Sequence, residues 1–185
     1  SPHIEVVFKK GGKASIKIEE ISVPIEKFNY ELEKGTLQVY LEGAKTYTKN
    51  KKVVIRNQER KVPLYKNRIA TLIITYTDVA IFSLRGEEKI TFNSPLIQDK
   101  CELRIYGKSE VTIPTIDVNK LYVSIYGDSF LNIEKGTIEK QKITAYGASK
   151  VMASDAVSKE TKITAYGSGT FQLNATESIK VTSYG

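Results

Sequence analysis

The sequence predicts an all-β protein: a parallel β-helix, a single-stranded solenoid with coils of about twenty residues, preceded by an N-terminal antiparallel β-hairpin portion. Three observations carry this. The pair Tyr-Gly returns at Tyr106-Gly107, Tyr126-Gly127, Tyr146-Gly147 and Tyr166-Gly167, twenty residues apart each time, and a last copy, Tyr184-Gly185, follows after eighteen. Inside each repeat apolar or small residues alternate with polar ones, the two-residue period of a strand with one covered face. Apolar residues do not recur convincingly at spacings of three and four, so almost no helix is expected.

At 185 residues the chain reads as a single domain, with residues 1–76 as the antiparallel part and 77–185 as the coils; a domain of this size buries about 70% of its unfolded surface. Its apolar runs are only a few residues long, too short for a membrane-spanning helix. The chain starts Ser1-Pro2-His3 without Met, which reads as a mature or trimmed form. Cys101 is the single cysteine, so neither an internal disulfide nor a cysteine metal cluster can form, and a buried, inert thiol is expected.

Taken in order, Ile4 to Phe8 and Ala14 to Glu19 flank Lys9-Lys10-Gly11-Gly12-Lys13 and read as a first hairpin. Ile25 to Glu33 and Thr36 to Glu42 flank Lys34-Gly35 as a second. There Phe28, Tyr30, Leu32, Leu37, Val39 and Leu41 mark one buried face. Residues 43–68 are less regular: Lys51 to Arg56 suits a strand, while Pro63 and clustered charge suit a loop or an edge. Ile69 to Tyr76 is apolar and β-branched enough for a central strand. A degenerate first coil then carries Phe82, Leu84, Gly86, Ile90 and Phe92, with Arg85-Gly86 where Tyr-Gly stands later.

In the regular coils the odd positions, such as Leu121, Val123, Ile125, Gly127, Ser129, Leu131 and Ile133, are assigned inward and the even ones outward. The glycines are thereby placed inside, at a corner lined by minimal side chains. Outward, Tyr106, Tyr126, Tyr146, Tyr166 and Tyr184 form a ladder, beside a second of Ser124, Thr144, Thr164 and Thr182 and a third of Glu102, Tyr122, Lys142, Lys162 and Lys180. Two roles suit the tyrosines. Stacked rings stabilise coil pairing by roughly 0.2 to 1 kcal/mol per pair, and they offer an aromatic, hydroxyl-rimmed surface to a glycan or protein. Lysines stacked directly above one another repel unless they are solvated or meet an anionic partner.

Chemistry is sparse. Glu110 and Asp128 are the nearest carboxylates on adjacent coils, but no column neighbour reinforces them as an acid/base pair. His3 is the single histidine, which leaves no histidine-dependent triad or zinc site, and no cofactor motif is present. Asn174-Ala175-Thr176 fits a glycosylation sequon. The net charge of +7 is concentrated between Lys45 and Arg68, where nine basic residues accompany one acid, Glu59. Lys49, Lys51, Lys52, Arg56, Arg60 and Lys61 form the centre of this patch. It reads either as a solvated edge that blocks aggregation or as a site for anionic glycans or lipopolysaccharide; without a recognisable reading motif, nucleic acid is not expected.

The turn Glu33-Lys34-Gly35-Thr36-Leu37, the strand Leu72-Ile73-Ile74-Thr75-Tyr76 running into Asp78-Val79, and the serial Gly-x-Ser-x-apolar coils resemble the bacterial auto-transporter adhesins of the head GIN domain type. The resemblance spans nearly the whole chain. It implies a fold similar to pectin-lyase-like β-helices, export to the periplasm, the outer-membrane surface or the medium, and adhesion to a glycan or surface protein. The family's small residue before Gly is Ser, whereas here it is Tyr. A structural or scaffolding solenoid of the cell envelope is the alternative, and a degenerate carbohydrate-active enzyme the third. The last coil would leave unpaired strand edges, which predicts self-association through that end.

Overall fold

A computed structural model describes residues 1–56 and 58–185, with only the backbone of Ile55 considered. The strands are β1 (Ile4–Lys10), β2 (Ser15–Ile21), β3 (Phe28–Glu33), β4 (Thr36–Leu41), β5 (Asn50–Ile55), β6 (Gln58–Pro63), β7 (Ala70–Tyr76), β8 (Ile81–Gly86) and β9 (Lys89–Phe92). Then follow β10 (Leu96–Gly107), β11 (Glu110–Ile113), β12 (Ile116–Tyr126), β13 (Phe130–Ile133), β14 (Gly136–Tyr146), β15 (Lys150–Tyr166) and β16 (Thr170–Tyr184). A single 3-10 turn, Ile25–Lys27, is the helical exception among the described residues.

From β8 onward the chain winds as a parallel β-solenoid of about five turns. Strands β8, β10, β12, β14 and β15 pair in register, as in Val123 with Leu103 and Ile143, and β16 follows β15 with register shifts between Ala153 and Val157 and between Ser158 and Glu160. Strands β9, β11, β13 and the first part of β15 build another wall of the same coils. Each long strand also bends. In β12, Ile116 and Val118 are buried, Asn119 and Lys120 are both exposed, and Leu121, Val123 and Ile125 are buried again. Backbone pairing skips Asn119 at that point. The bend takes one residue out of the alternation, so each coil has three walls and one of them buries even positions, among them Leu96, Ile116, Val118 and Ile138. The odd-inward reading omits this wall.

The corner glycines are a second correction. Gly107, Gly127, Gly147 and Gly167 are exposed and not interior. What they supply is a turn at positive φ and a close approach between coils: Gly127 has φ +78, and a Cβ there would lie 2.4 Å from the carbonyl oxygen of Gly107. The inward position belongs to the serine two residues on. Ser109, Ser129 and Ser149 are fully buried, yet their hydroxyls are satisfied: Ser129 donates to the Tyr126 carbonyl at 3.1 Å and Ser149 to that of Gly127 at 3.0 Å.

The N-terminal part departs from the expected pair of hairpins. Strands β1 and β2 do not pair, because β7 lies between them, parallel to β1 and antiparallel to β2. The glycines after β1 reverse the chain, but Ala70, Leu72, Ile74 and Tyr76 bury one full face of β7, and the strand with most to cover takes the central place. On its other edge β1 runs parallel to β9, so the chain start joins the solenoid wall. Phe8, Tyr76, Phe82 and Phe92 close this end with ring centroids 4.9–6.3 Å apart.

The β3–β4 hairpin does form, with Lys34 and Gly35 both at positive φ in its two-residue turn. Its apolar face is covered only at the base, where Leu41 is buried and Phe28 and Val39 pack beside it. Tyr30 and Leu32 are 65% and 69% exposed, so the expectation of one buried face fails towards the tip. At the far end β16 pairs with β15 alone. Ile179 and Val181, at positions buried in preceding coils, are 56% and 59% exposed.

The steric limit is sharpest at Gly136, where φ is +134 and a Cβ would meet the Ile116 carbonyl oxygen at 1.8 Å. Gly136→Ala is expected to lose about 3 kcal/mol or more in urea unfolding, by strain and collision together. Gly12→Ala, with open space around it, is expected to change stability by less than about 1 kcal/mol.

Candidate functional site: the outward face of the long wall

Alternation along β10, β12, β14, β15 and β16 points every second side chain out of one flat wall, and in-register pairing stacks these into columns. The outermost column is the tyrosine ladder. Tyr106, Tyr126, Tyr146, Tyr166 and Tyr184 stack with centroids 4.8, 4.8, 4.8 and 5.0 Å apart and planes within 9° of parallel. Each inner ring therefore has both faces covered by its neighbours, and the ladder presents ring edges and phenol hydroxyls. Burial, and then the adjoining Tyr106 and Tyr146 phenols, raise the pKa of Tyr126, so its hydroxyl stays a protonated donor.

Arg85 completes the ladder. It pairs with Tyr106 in register, and its guanidinium lies over that ring, 4.0 Å from the centroid. Residue by residue, Arg85 reads as a break in the pattern. Its place one coil before Tyr106 is the signal that identifies it as the cap of the stack.

Next to the ladder runs the hydroxyl column of Ser124, Thr144, Thr164 and Thr182, preceded in the same register by Ser83 and Arg104. Arg104 is held by Glu102 at 2.7 Å, and that hydrogen bond raises the guanidinium pKa further. Then come Glu102, Tyr122, Lys142, Lys162 and Lys180. Beside them, at the bend, a groove of about 340 Å3 is lined by residues that include Tyr122, Lys142, Lys162 and Lys180. A second hollow of about 190 Å3 adjoins it at Lys100, Glu102 and Tyr122.

The basic segment occupies a different place. Strands β5 and β6 form a separate two-stranded hairpin. Lys52 stands opposite Lys61 on one face, while Lys51 and Arg60 belong to the other. Arg56 ends the first strand at positive φ, and Lys49 precedes it at the base, its amide bonded to the Gly43 carbonyl. Lys52 is paired with Glu59 at 3.0 Å. The six residues are thus brought onto one hairpin but not onto one surface.

Elsewhere the chemistry is structural. His3 places Nδ1 2.7 Å from the Asn67 carbonyl, and its other nitrogen meets the Thr48 hydroxyl, tying the chain start to the segment before β7. Glu88, an inward-position acid in the first coil, lies 3.7 Å from His3. Glu110 and Asp128 are each exposed. Among the described residues no group of three or more His, Cys, Asp or Glu could hold a metal ion. Cys101 is fully buried, and burial pushes its thiol up to about 12.

Tyr126→Ala removes two stacked contacts and Tyr184→Ala one. At about 0.5–1.5 kcal/mol per pair, Tyr126→Ala should be the more destabilising by roughly that amount in denaturant unfolding, while Tyr126→Phe, which keeps the stack, should stay near the parent.

A protein from Bacteroides fragilis called a putative adhesin superposes with a TM-score of 0.79 at 18% identity, over 98% of this chain and 76% of the other. A Parabacteroides distasonis protein called a putative lipid binding protein gives 0.61 at 13% identity, over 100% of this chain and 89% of the other. A putative adhesin from Parabacteroides merdae gives 0.55 at 15%, over 100% and 86%. At these identities the likeness is one of fold. No curated protein matches the sequence. No helix is long and apolar enough to cross a membrane. The family model described as "Putative auto-transporter adhesin, head GIN domain" matches residues 1–185, and the chain belongs to that family.

Proposed function

We propose that this chain is a non-enzymatic, exported adhesion module that binds a glycan through the outward face of its long wall. The observation that carries the reading is the register of hydroxyls: the phenols of the tyrosine ladder and the Thr144, Thr164 and Thr182 hydroxyls recur coil after coil on one flat surface. Hydroxyls that both donate and accept, at a fixed interval, match the hydroxyl-rich edge of a sugar chain. The ring faces are committed to one another, so binding is by hydrogen bonding at the ring edges rather than by sugar stacking along the ladder. The family description and the adhesin names of the structural neighbours support surface attachment.

The test is a glycan array probed with the parent, with Tyr146→Phe/Tyr166→Phe and with Thr144→Val/Thr164→Val. These changes delete hydroxyls while keeping shape and stack. Hits that weaken about tenfold in either double variant are expected, the loss of one or two hydrogen bonds. An array without hits, or hits indifferent to both variants, would favour the scaffolding reading, in which the paired ring faces serve only to hold the coils together.

Self-association through the last coil is a companion proposal, supported by the outer edge of β16 and by exposed Ile179 and Val181. Sedimentation should show concentration-dependent dimers that Val181→Lys abolishes; a strictly monomeric parent counts against it.

A further inference from the structure

We propose that the bend of the long wall is a binding strip for a linear acidic glycan lying along the solenoid axis. This rests on the glycan reading above and narrows its ligand to a polyanion. Lys100, Lys120 and Lys140 stand in register in three successive coils, on the outward positions just past the bend. Two residues further along the strands, Lys142, Lys162 and Lys180 stand in register in the third coil and the two after it. Together they make a diagonal stripe of six ammonium groups that crosses five coils, with the groove lined by Lys140, Lys142, Lys162 and Lys180 along its length.

The stripe is compensated at one point, where Glu160 pairs with Lys140 at 3.0 Å, while its other carboxylate, Glu102, is committed to Arg104 at 2.7 Å. Among the described residues no carboxylate lies within ion-pair distance of Lys120, Lys142, Lys162 or Lys180. The neighbouring corner column shows that the fold can compensate: there Asn119 bonds Asp99 at 2.7 Å, and Lys159 pairs with Glu139 at 2.7 Å across adjacent coils. Like charges aligned along successive strands repel. A chain with an anion at each step relieves that repulsion and releases its own counterions on binding.

Two features favour an acidic sugar chain over a nucleic acid. The column beside the lysines carries the hydroxyls of Thr144, Thr164 and Thr182, partners for sugar hydroxyls. The stripe holds one aromatic ring, Tyr122, half-exposed, with the Lys100 ammonium 5.2 Å from its centroid. Single-stranded nucleic acid calls for a series of free aromatic faces on which successive bases stack, and Tyr106, Tyr126, Tyr146 and Tyr166 have both of theirs covered.

The experiment measures binding of the whole chain to three probes: a linear polyuronate, its fully methyl-esterified form, and a single-stranded oligonucleotide of similar charge. Tight binding to the polyuronate is expected, falling steeply with salt, at least tenfold stronger than to the ester or the oligonucleotide. Lys142→Gln/Lys162→Gln/Lys180→Gln should lose tenfold or more without a lower melting temperature, since repulsion is relieved. Lys52→Gln/Lys61→Gln, on the separate hairpin, should bind like the parent. Equal binding of polyuronate and ester would overturn the strip while leaving the glycan-binding face standing. Equal or stronger oligonucleotide binding, a triple variant that binds like the parent, or no polyuronate binding would each overturn the strip.

Discussion

Parallel pairing of successive coils in exact register is the constraint on which the rest of this molecule depends. Because Val123 sits between Leu103 and Ile143, and Tyr126 beside Tyr146, the side chains along the paired walls are placed next to their equivalents one coil away, at the strand spacing of about 4.8 Å. A residue that tolerates its own copy at that distance can be repeated; one that does not must be exchanged or paired. Buried Ile and Leu tolerate it through packing, serines through hydroxyls that reach back to a carbonyl, and tyrosines by lying parallel. Glycine is required at the corner for the same reason, since the preceding coil's carbonyl fills the space a Cβ would take.

Register also turns a local property into an extended one. A single exposed tyrosine is unremarkable, but five in a column make a ridge whose inner ring faces are closed and whose hydroxyls are open. The arginine at the head of the ridge uses the one face that would otherwise be free there. Charge behaves likewise. Where a lysine faces a glutamate on the next coil, as Lys140 faces Glu160, the field cancels locally. Where lysine faces lysine, it adds along the axis. The wall is thus graded across its width, from cations at the bend, through hydroxyls, to aromatic edges.

The N-terminal part solves a different problem, the closing of an open end. A stack of coils presents a bare cross-section at each terminus. Here β1 adds to the wall beyond β9, β7 and β2 extend it, and the Phe8, Tyr76, Phe82 and Phe92 rings fill the mouth. The β3–β4 and β5–β6 hairpins contribute no strand to this sheet. Their exposed positions, apolar on the first and basic on the second, follow from standing outside it.

The sequence by itself determined what depends on period. The twenty-residue return of Tyr-Gly and the alternation around it established the solenoid, the outward ladder and the columns of Thr and Lys, because side-chain direction in a strand follows position alone. Tertiary structure decided what depends on chain geometry between distant residues. Alternation cannot reveal a bend that uses up one residue, so the wall of Ile116 and Val118 and the outward placing of the corner glycines came only from the folded coil. Hairpin signals describe a turn and not the partner beyond it, so the insertion of β7 between β1 and β2 was illegible locally. Spacing places rings in a column but does not orient their planes. The closing of the tyrosine faces upon one another, which leaves hydroxyl edges and the lysine stripe as the surface a partner would meet, is a property of the packed wall.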